Sequence, residues 1–497
     1  MVRPLEVILF AGIILLWLAV LFVRRLSRKV GWVIGGTCFI ALVVQWLVEG
    51  YRWQLVPAYF SLLLLAAIVA LKGSGTPQQG NWRRKAGKFL LLAVSGIGIL
   101  VSAALAVLLP VFRLPEPDGM YAVGTESFMF VDLQRMETYT EEPDDHRTLM
   151  VTIWYPAERA AIGKRAMLLP QSGAKGMEKR FLSTYSEAMG LPDFALDYWK
   201  YLQGNSYEKA EIASSDTAPY PIILLSHGLG TTRMLHTSQA ENLASHGYVV
   251  AAIDHTYSTT ATVFPDGEVT GFQAEMDGDD FLKSGKELGE IWAADVDYVI
   301  ECLERLNQGE NPGRFKGRLD VSKIGAMGHS FGGATAYHLA ATRDKIKAGI
   351  NMDGTNYDVF DKDQILTKPF LFMESGAFKS FIQGNGLDGE GAEPERMREI
   401  INNEKSIIGS ARQHNGHFIY IEGSEHYNFT DLPLYSPLVS LTGMTGTLEA
   451  NRGAGIVNDY VLDFFDTYLK GKKSALLAEN VDIYPEVKRD LEFKPME

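Results

Sequence analysis

The chain has 497 residues, with 47 Lys and Arg against 60 Asp and Glu, and its net charge of −13 is split along its length. Residues 1–113 carry twelve basic side chains and two acids, a local +10, which leaves −23 for the remainder. A domain at −23 repels phosphate, so nucleic acid is excluded as a partner on charge, and two distant cysteines, Cys38 and Cys302, supply no disulfide framework.

Four apolar runs open the chain, at about 5–23, 30–48, 55–71 and 89–112. Each is close to the length a helix needs to cross a bilayer, and together they define a membrane domain over 1–113 with four transmembrane helices. The third run is the shortest and has Pro57 near its start. No run is read as holding an ionisable residue that would mark an ion path. A cleaved signal peptide does not fit, because the first run is followed by Arg24-Arg25 and three more runs instead of a small-residue cleavage site. Arg24, Arg25, Arg28 and Lys29 lie between the first two runs, and Lys72, Arg83, Arg84, Lys85 and Lys88 between the last two. The middle loop holds only Arg52 against Glu49. The positive-inside rule then puts both basic loops in the cytoplasm and both termini outside. The expectation is a multi-pass cell-membrane protein whose second domain is extracytoplasmic.

Residues 114–120, with Pro115 and Pro117, read as an extended linker, and a second domain fills 121–497. Strands are expected at 121–131 and 149–155, joined by an acidic hairpin loop at 141–145. The stretch 176–207 is mixed and aromatic, with Phe181, Tyr185, Phe194, Tyr198, Trp199 and Tyr201. It reads either as a lid over an apolar pocket or as a helix packed on the sheet edge. Residues 221–226 are continuously apolar, as in a parallel strand buried on both faces, and end in His227-Gly228-Leu229-Gly230. A helix follows at 241–246, then a strand at 248–253 ending in Asp254-His255, and a helix at 287–306. Further strands are expected at 323–327, 348–352, 369–373 and 418–421, with a closing helix at 456–469. The Gly- and acid-rich stretch 384–395 reads as a mobile loop. Strands alternating with helices give an α/β fold, a mostly parallel sheet flanked by helices, with ligands at the carboxyl ends of the strands.

One stretch concentrates the chemistry. Lys323–Met327 is a buried strand that runs into Gly328-His329-Ser330-Phe331-Gly332-Gly333, a G-x-S-x-G elbow, and then into a small-residue helix. Such a turn exposes the serine hydroxyl and aims a helix N-terminus at the place where negative charge develops. A serine hydroxyl needs a histidine to take its proton and an acid to orient that histidine. In this arrangement the chain order is Ser, acid, His. Asp353 stands just after the next strand and is the expected acid, ahead of Asp358 and Asp361. His426 follows a late strand and is the expected base, whereas His414 and His417 precede that strand. Phe331 and Leu229 are the expected oxyanion-hole N–H donors. His227 is read as bracing the loop of Leu229, His329 as structural, and His255 as a candidate for lining the pocket. No cofactor or metal is expected. Asp277-Gly278-Asp279-Asp280 superficially opens a calcium loop, but Phe281 stands where a ligand is required.

The motifs Ser226-His227-Gly228-Leu229-Gly230, 243–252 (Leu-Ala-Ser-His-Gly-Tyr-Val-Val-Ala-Ala) and Gly328-His329-Ser330-Phe331-Gly332-Gly333 resemble those of the platelet-activating factor acetylhydrolase family, plasma and isoform II type. Gly423-Ser424-Glu425-His426-Tyr427-Asn428-Phe429 is similar to its histidine segment. The resemblance covers roughly 123–471 and implies an α/β-hydrolase fold with Ser330, Asp353 and His426 as nucleophile, acid and base, and Leu229 and Phe331 as oxyanion donors. It further implies a calcium-independent serine esterase that cleaves acetyl or short, oxidised sn-2 acyl chains of phospholipids, and the four apolar runs add the lipid bilayer as a partner that holds the site near lipid esters. The four-run membrane half departs from the known animal members. Two alternatives stand beside this expectation: a carboxylesterase for small soluble esters or polyesters, and a non-catalytic membrane receptor or assembly factor built on a hydrolase-like domain.

Overall fold

The computed structural model describes residues 3–23, 27–70, 82–159, 163–170, 174–214, 219–277, 280–311, 313–363, 365–384, 394–478 and 483–494. Two compact units are present. The first comprises Met1–Phe112 with the short segments Phe194–Trp199 and Tyr435–Leu438, and the second holds the rest.

The first unit is built on four helices, α1 (Pro4–Phe22), α2 (Arg28–Val48), α3 (Val56–Ala70) and α4 (Trp82–Leu108). All four are long and apolar enough to cross a membrane once the short 3-10 turn before α3 is counted with it. Leu9, Ile13 and Leu16 of α1, Leu62 and Leu65 of α3 and Leu92 of α4 form the common core, while Val7, Leu15, Leu47 and Leu100 point outward. An apolar exterior is what a lipid-facing helix requires.

The expectation that no run holds an ionisable residue fails at Glu6, in the first turn of α1. Its carboxylate is buried and paired with Arg3 at 3.2 Å and Arg52 at 2.8 Å. Arg52 also donates to the Leu109 carbonyl at 2.6 Å, and the Leu5 and Glu6 N–H groups donate to the Glu49 carboxylate at 2.9 and 3.0 Å. The charge is tolerated because it sits at a helix N-terminus with a cation against it.

The second unit follows its sequence pattern. Its elements, in chain order, are β1 (Ala122–Met136), β2 (His146–Ala157), β3 (Arg165–Met167), α5 (Met177–Ala188), β4 (Gln203–Glu208), β5 (Tyr220–Ser226), α6 (Thr237–Ser245), β6 (Val249–Asp254), β7 (Ala261–Val263), β8 (Val269–Gly271), α7 (Phe281–Gln308), β9 (Leu319–His329), α8 (Phe331–Thr342), β10 (Ile346–Met352), β11 (Phe370–Ser375), α9 (Gly376–Ile382), α10 (Pro394–Arg412), β12 (Gly416–Ile421), α11 (Leu432–Tyr435, whose last residue falls in the first unit), α12 (Ala450–Lys470) and β13 (Val487–Lys488). Eleven strands form one sheet in the order β13-β12-β11-β10-β9-β5-β6-β2-β1-β4-β3. From β12 to β6 every pairing is parallel, whereas β1 and β2 form an antiparallel hairpin that joins β6 antiparallel through β2.

Strand periodicity sorts the core into two layers. Ile222 and Leu224 join Val296, Ile300 and Ile408 on one face, and Ile223 and Leu225 join Leu243, Phe464 and Phe465 on the other. Because these strands run parallel, the carboxyl ends of β5, β9, β10 and β12 fall along one edge of the sheet, with helices on both faces. Residues 385–393, most of the stretch read as a mobile loop, lie outside the described residues; α10 begins at Pro394. Of the aromatic stretch 176–207, Phe181 and Tyr185 on α5 are buried, whereas Phe194 is half exposed.

Candidate active site

Ser330 sits where β9 breaks into α8, with φ 55° and ψ −123°. That conformation is uncommon for a residue with a side chain, and surrounding bonds hold it. Its N–H donates to the Met352 carbonyl at 2.8 Å, and its carbonyl accepts from the N–H groups of Gly333 and Ala334 at 2.9 and 3.1 Å. The turn is too tight for side chains on either flank. A Cβ on Gly328 would stand 2.3 Å from the Gly332 backbone, and one on Gly332 would stand 2.4 Å from the carbonyl oxygens of Ser226 and His227. The glycine pattern of the elbow is therefore a packing requirement.

Asp353 follows β10 and also has positive φ, 55°. One carboxylate oxygen accepts the Ser375 N–H at 2.6 Å and the other faces His426 Nδ1 at 2.7 Å. Burial opposes ionisation of this carboxyl, but the bonds from His426 and Ser375 outweigh it and hold it below the ordinary aspartate range. His426 opens a 3-10 turn, His426–Phe429, fixed by Asn428 Oδ1, which accepts the N–H groups of Glu425 at 2.8 Å and Gly446 at 2.7 Å. His426 Nε2 lies 2.9 Å from Ser330 Oγ. Ser330, His426 and Asp353 thus form one hydrogen-bonded chain, assembled from residues up to 96 positions apart. With Nδ1–H committed to the carboxylate, Nε2 is free to accept a proton from the hydroxyl.

The other candidates are engaged elsewhere. Asp358 faces His338 Nδ1 at 3.0 Å, and Asp361 accepts the Asp363 N–H at 2.8 Å. His414 bonds the Ser410 carbonyl and His417 the Tyr468 hydroxyl at 2.6 Å. His255 is fully buried, held by Asp295 at 2.9 Å and Ser226 at 3.0 Å, and does not line the cleft. Asp280 accepts the Lys283 N–H as the N-cap of α7, while Gly278 and Asp279 lie outside the described residues.

Leu229 and Phe331 both line the cleft beside Ser330. This cavity, about 400 Å³, also presents Met276, Phe281, Phe378 and Phe381, an apolar wall suited to an acyl or alkyl group. Glu374 lines it too. Burial, with the Asp353 and Glu404 carboxylates nearby, pushes its carboxyl well above the usual range and so favours its neutral form beside Asp353.

His329, read from the sequence as structural, braces the turn that carries His426. It donates from Nε2 to the His426 carbonyl at 2.8 Å, and the two rings lie 4.5 Å apart. Burial and the His426 and His236 rings push its pKa well below the ordinary histidine value, so it stays neutral. Its place inside the G-x-S-x-G motif was the only signal, and that motif does not specify what the histidine touches.

A mostly parallel sheet flanked by helices, with a serine in the turn after its central strand and a histidine and an aspartate hydrogen-bonded to it in series, is the α/β-hydrolase fold. The chain matches the family model "Platelet-activating factor acetylhydrolase, isoform II" over residues 108–275 and 292–481 and belongs to that family. It is 23% identical over 378 residues to the platelet-activating factor acetylhydrolase of Cavia porcellus, covering 72% of this chain and 78% of that one. It is 27% identical over 414 residues to the "Probable 1-alkyl-2-acetylglycerophosphocholine esterase" of Arthroderma benhamiae, covering 78% and 96%. The solved ferulic acid esterase of Streptomyces cinnamoneus superposes with a TM-score of 0.57 at 26% identity, over 76% of this chain and 99% of that one.

Proposed function

We propose that the protein is a membrane-anchored serine esterase that removes acetyl or other short, including oxidised, sn-2 acyl chains from phospholipids through an acyl-enzyme. The observation that carries this reading is the hydrogen-bonded chain from Ser330 through His426 to Asp353 at the mouth of an apolar cleft. Ser330 Oγ attacks the ester carbonyl while His426 Nε2 takes its proton. Asp353 holds the imidazole and stabilises the imidazolium. The N–H groups of Leu229 and Phe331 stabilise the oxyanion, an interaction whose loss from one donor costs about 10²–10³ in turnover. His426 then protonates the departing lysolipid, and water, deprotonated by the same histidine, releases the acid and restores Ser330. The four apolar helices and the basic loops between them support anchoring with the catalytic domain outside the cytoplasm. A lipid ester is the natural substrate of a domain tied to a bilayer. No cofactor is invoked.

The likeness to a ferulic acid esterase favours a second reading, a carboxylesterase for small soluble esters. Hydrolysis of phosphatidylcholines with one sn-1 chain and sn-2 chains from acetyl to palmitoyl, by the detergent-purified protein, separates the two. The expected result is turnover that falls steeply with sn-2 length and is absent in Ser330→Ala. Turnover of a p-nitrophenyl ester alone would select the second reading. Phospholipid turnover that survives Ser330→Ala would overturn the mechanism.

A further inference from the structure

The loop after β5 is a tight turn with an unusual set of anchors. Gly228-Leu229-Gly230-Thr231 closes with the Thr231 N–H donating to the Gly228 carbonyl at 2.9 Å, and Gly230 sits at φ 70°. Positive φ at the third position of such a turn calls for glycine. The Gly230 N–H is also used, donating to the Ser258 carbonyl at 2.9 Å. A β-turn makes no use of the N–H at its second position, which here is Leu229.

The Gly228 carbonyl receives two further donors. Thr231 Oγ1 lies 2.7 Å from it and His227 Nδ1 also 2.7 Å. The histidine's tautomer follows from its other nitrogen: Nε2 accepts the His255 backbone N–H at 3.1 Å, so the proton sits on Nδ1 and points at the carbonyl. In a trans peptide the carbonyl and the following N–H point in opposite directions. Pinning the Gly228 oxygen on one side therefore fixes the Leu229 N–H on the other, where Leu229 borders the cleft with Ser330.

The support behind His227 is rigid. His255 lies flat on Trp292, with centroids 3.9 Å apart and an interplanar angle of 11°. Its Nδ1–H meets Asp295 at 2.9 Å, and its Nε2 accepts the Ser226 hydroxyl at 3.0 Å. Arg147 grips both oxygens of Asp295 at 3.0 and 2.6 Å. The Ser226–His255–Asp295 set repeats the chemistry of the Ser330 chain, but His255 and Asp295 are wholly buried and substrate has no access to them. Its place in the fold is behind the loop, as a brace.

We propose that Thr231 and His227 are positioning residues that orient the Leu229 N–H toward the oxyanion by clamping the carbonyl of the same peptide. This rests on the reading of Leu229 as an oxyanion donor. The test compares Thr231→Val, which keeps the shape and loses the hydroxyl, with Thr231→Ser, which keeps the hydroxyl, in the full-length detergent-purified protein on a soluble p-nitrophenyl ester. A loosened donor should lower kcat of Thr231→Val about tenfold, part of the cost of losing a donor outright, with KM within about twofold. Thr231→Ser should stay near wild type. Affinity for a phenylboronic acid, whose adduct oxygen sits at the oxyanion position, should fall in parallel with kcat. If Thr231→Val melts early, Thr231→Ala removes the same hydroxyl with less crowding and carries the same expectation. Unchanged kcat in the hydroxyl-less variant, equal loss in Thr231→Ser, or a rise in KM alone would overturn the assignment. Those results beside an inactive Ser330→Ala sink only the clamp, whereas an active Ser330→Ala sinks the reading of the site.

Discussion

Asp353 occupies a conformation that an aspartate seldom takes, and the reason is geometric. With φ at 55°, its carboxylate reaches the Ser375 N–H on one side and His426 on the other. Asparagine fits the same space and can keep the bond to Ser375, but its amide then presents N–H to the protonated Nδ1. The imidazole must turn or change tautomer, and Nε2 no longer accepts the serine proton. Asp353→Asn is expected to lower kcat by about 10⁴ while leaving the melting temperature within a few degrees. Steady-state kinetics with thermal unfolding on the same preparation checks this, and a loss below tenfold would contradict it. Much at this scale was legible. Ser330 is marked by its glycines, and placement just after a strand, within the order Ser, acid, His, selects Asp353 over Asp358 and Asp361 and His426 over His414 and His417. The hydrogen bonds of Ser375 and His329 are not legible in the sequence, because their partners Asp353 and His426 lie 22 and 97 positions away, whereas that of Thr231 to Gly228 closes within a single turn.

Elements carry the site as well as residues do. The turn holding His426 is tied to α6 through Asp431, whose carboxylate accepts the Ser238 N–H at 3.0 Å and is also bonded by the Ser238 hydroxyl. Gln239 adds a bond to the Phe429 carbonyl at 2.7 Å. Burial, only partly offset by those bonds, pushes the Asp431 carboxyl up to about 7. An acid with a raised folded pKa binds its proton more tightly in the folded state. Its contribution to stability is therefore full below the ordinary aspartate value near 3.9, falls as pH rises towards about 7, and is lost above that. Asp431→Asn removes this dependence. The variant should gain on wild type by up to about 4 kcal/mol between pH 4 and 8, given about 1.4 kcal/mol per pH unit. Urea titrations at both pH values measure the difference, and a gap that does not widen with pH would contradict it.

The parallel strands were legible for a related reason. β5 and β6 are buried on both faces and read as apolar runs up to their last residues, Ser226 and Asp254. By contrast, α10 was missed because only Ile401, Ile407, Ile408 and Ala411 face the core in an otherwise polar helix. β3, β7 and β8 are three residues each, too short to show a period. The antiparallel attachment of β2 to β6 has no local signal, since a strand's sequence does not reveal the direction of its partner.

At the scale of the whole molecule, charge and apolarity change together near residue 113. The first 113 residues are basic and dominated by four apolar helices, and the acidic remainder contains the esterase fold. The one charge inside a predicted span, Glu6, is met by Arg3 and Arg52. Arg52 lies 46 residues from Glu6 and outside the four apolar runs, so this pairing leaves no local mark in the sequence.

The anchored serine esterase is tested most directly by labelling membranes that contain the full chain with a fluorescent fluorophosphonate, after an alkaline carbonate wash. The predicted result is one labelled chain of 55.1 kDa retained in the membrane pellet for wild type and none for Ser330→Ala. Label that persists in Ser330→Ala, is absent from the wild type, or leaves with the wash would contradict it.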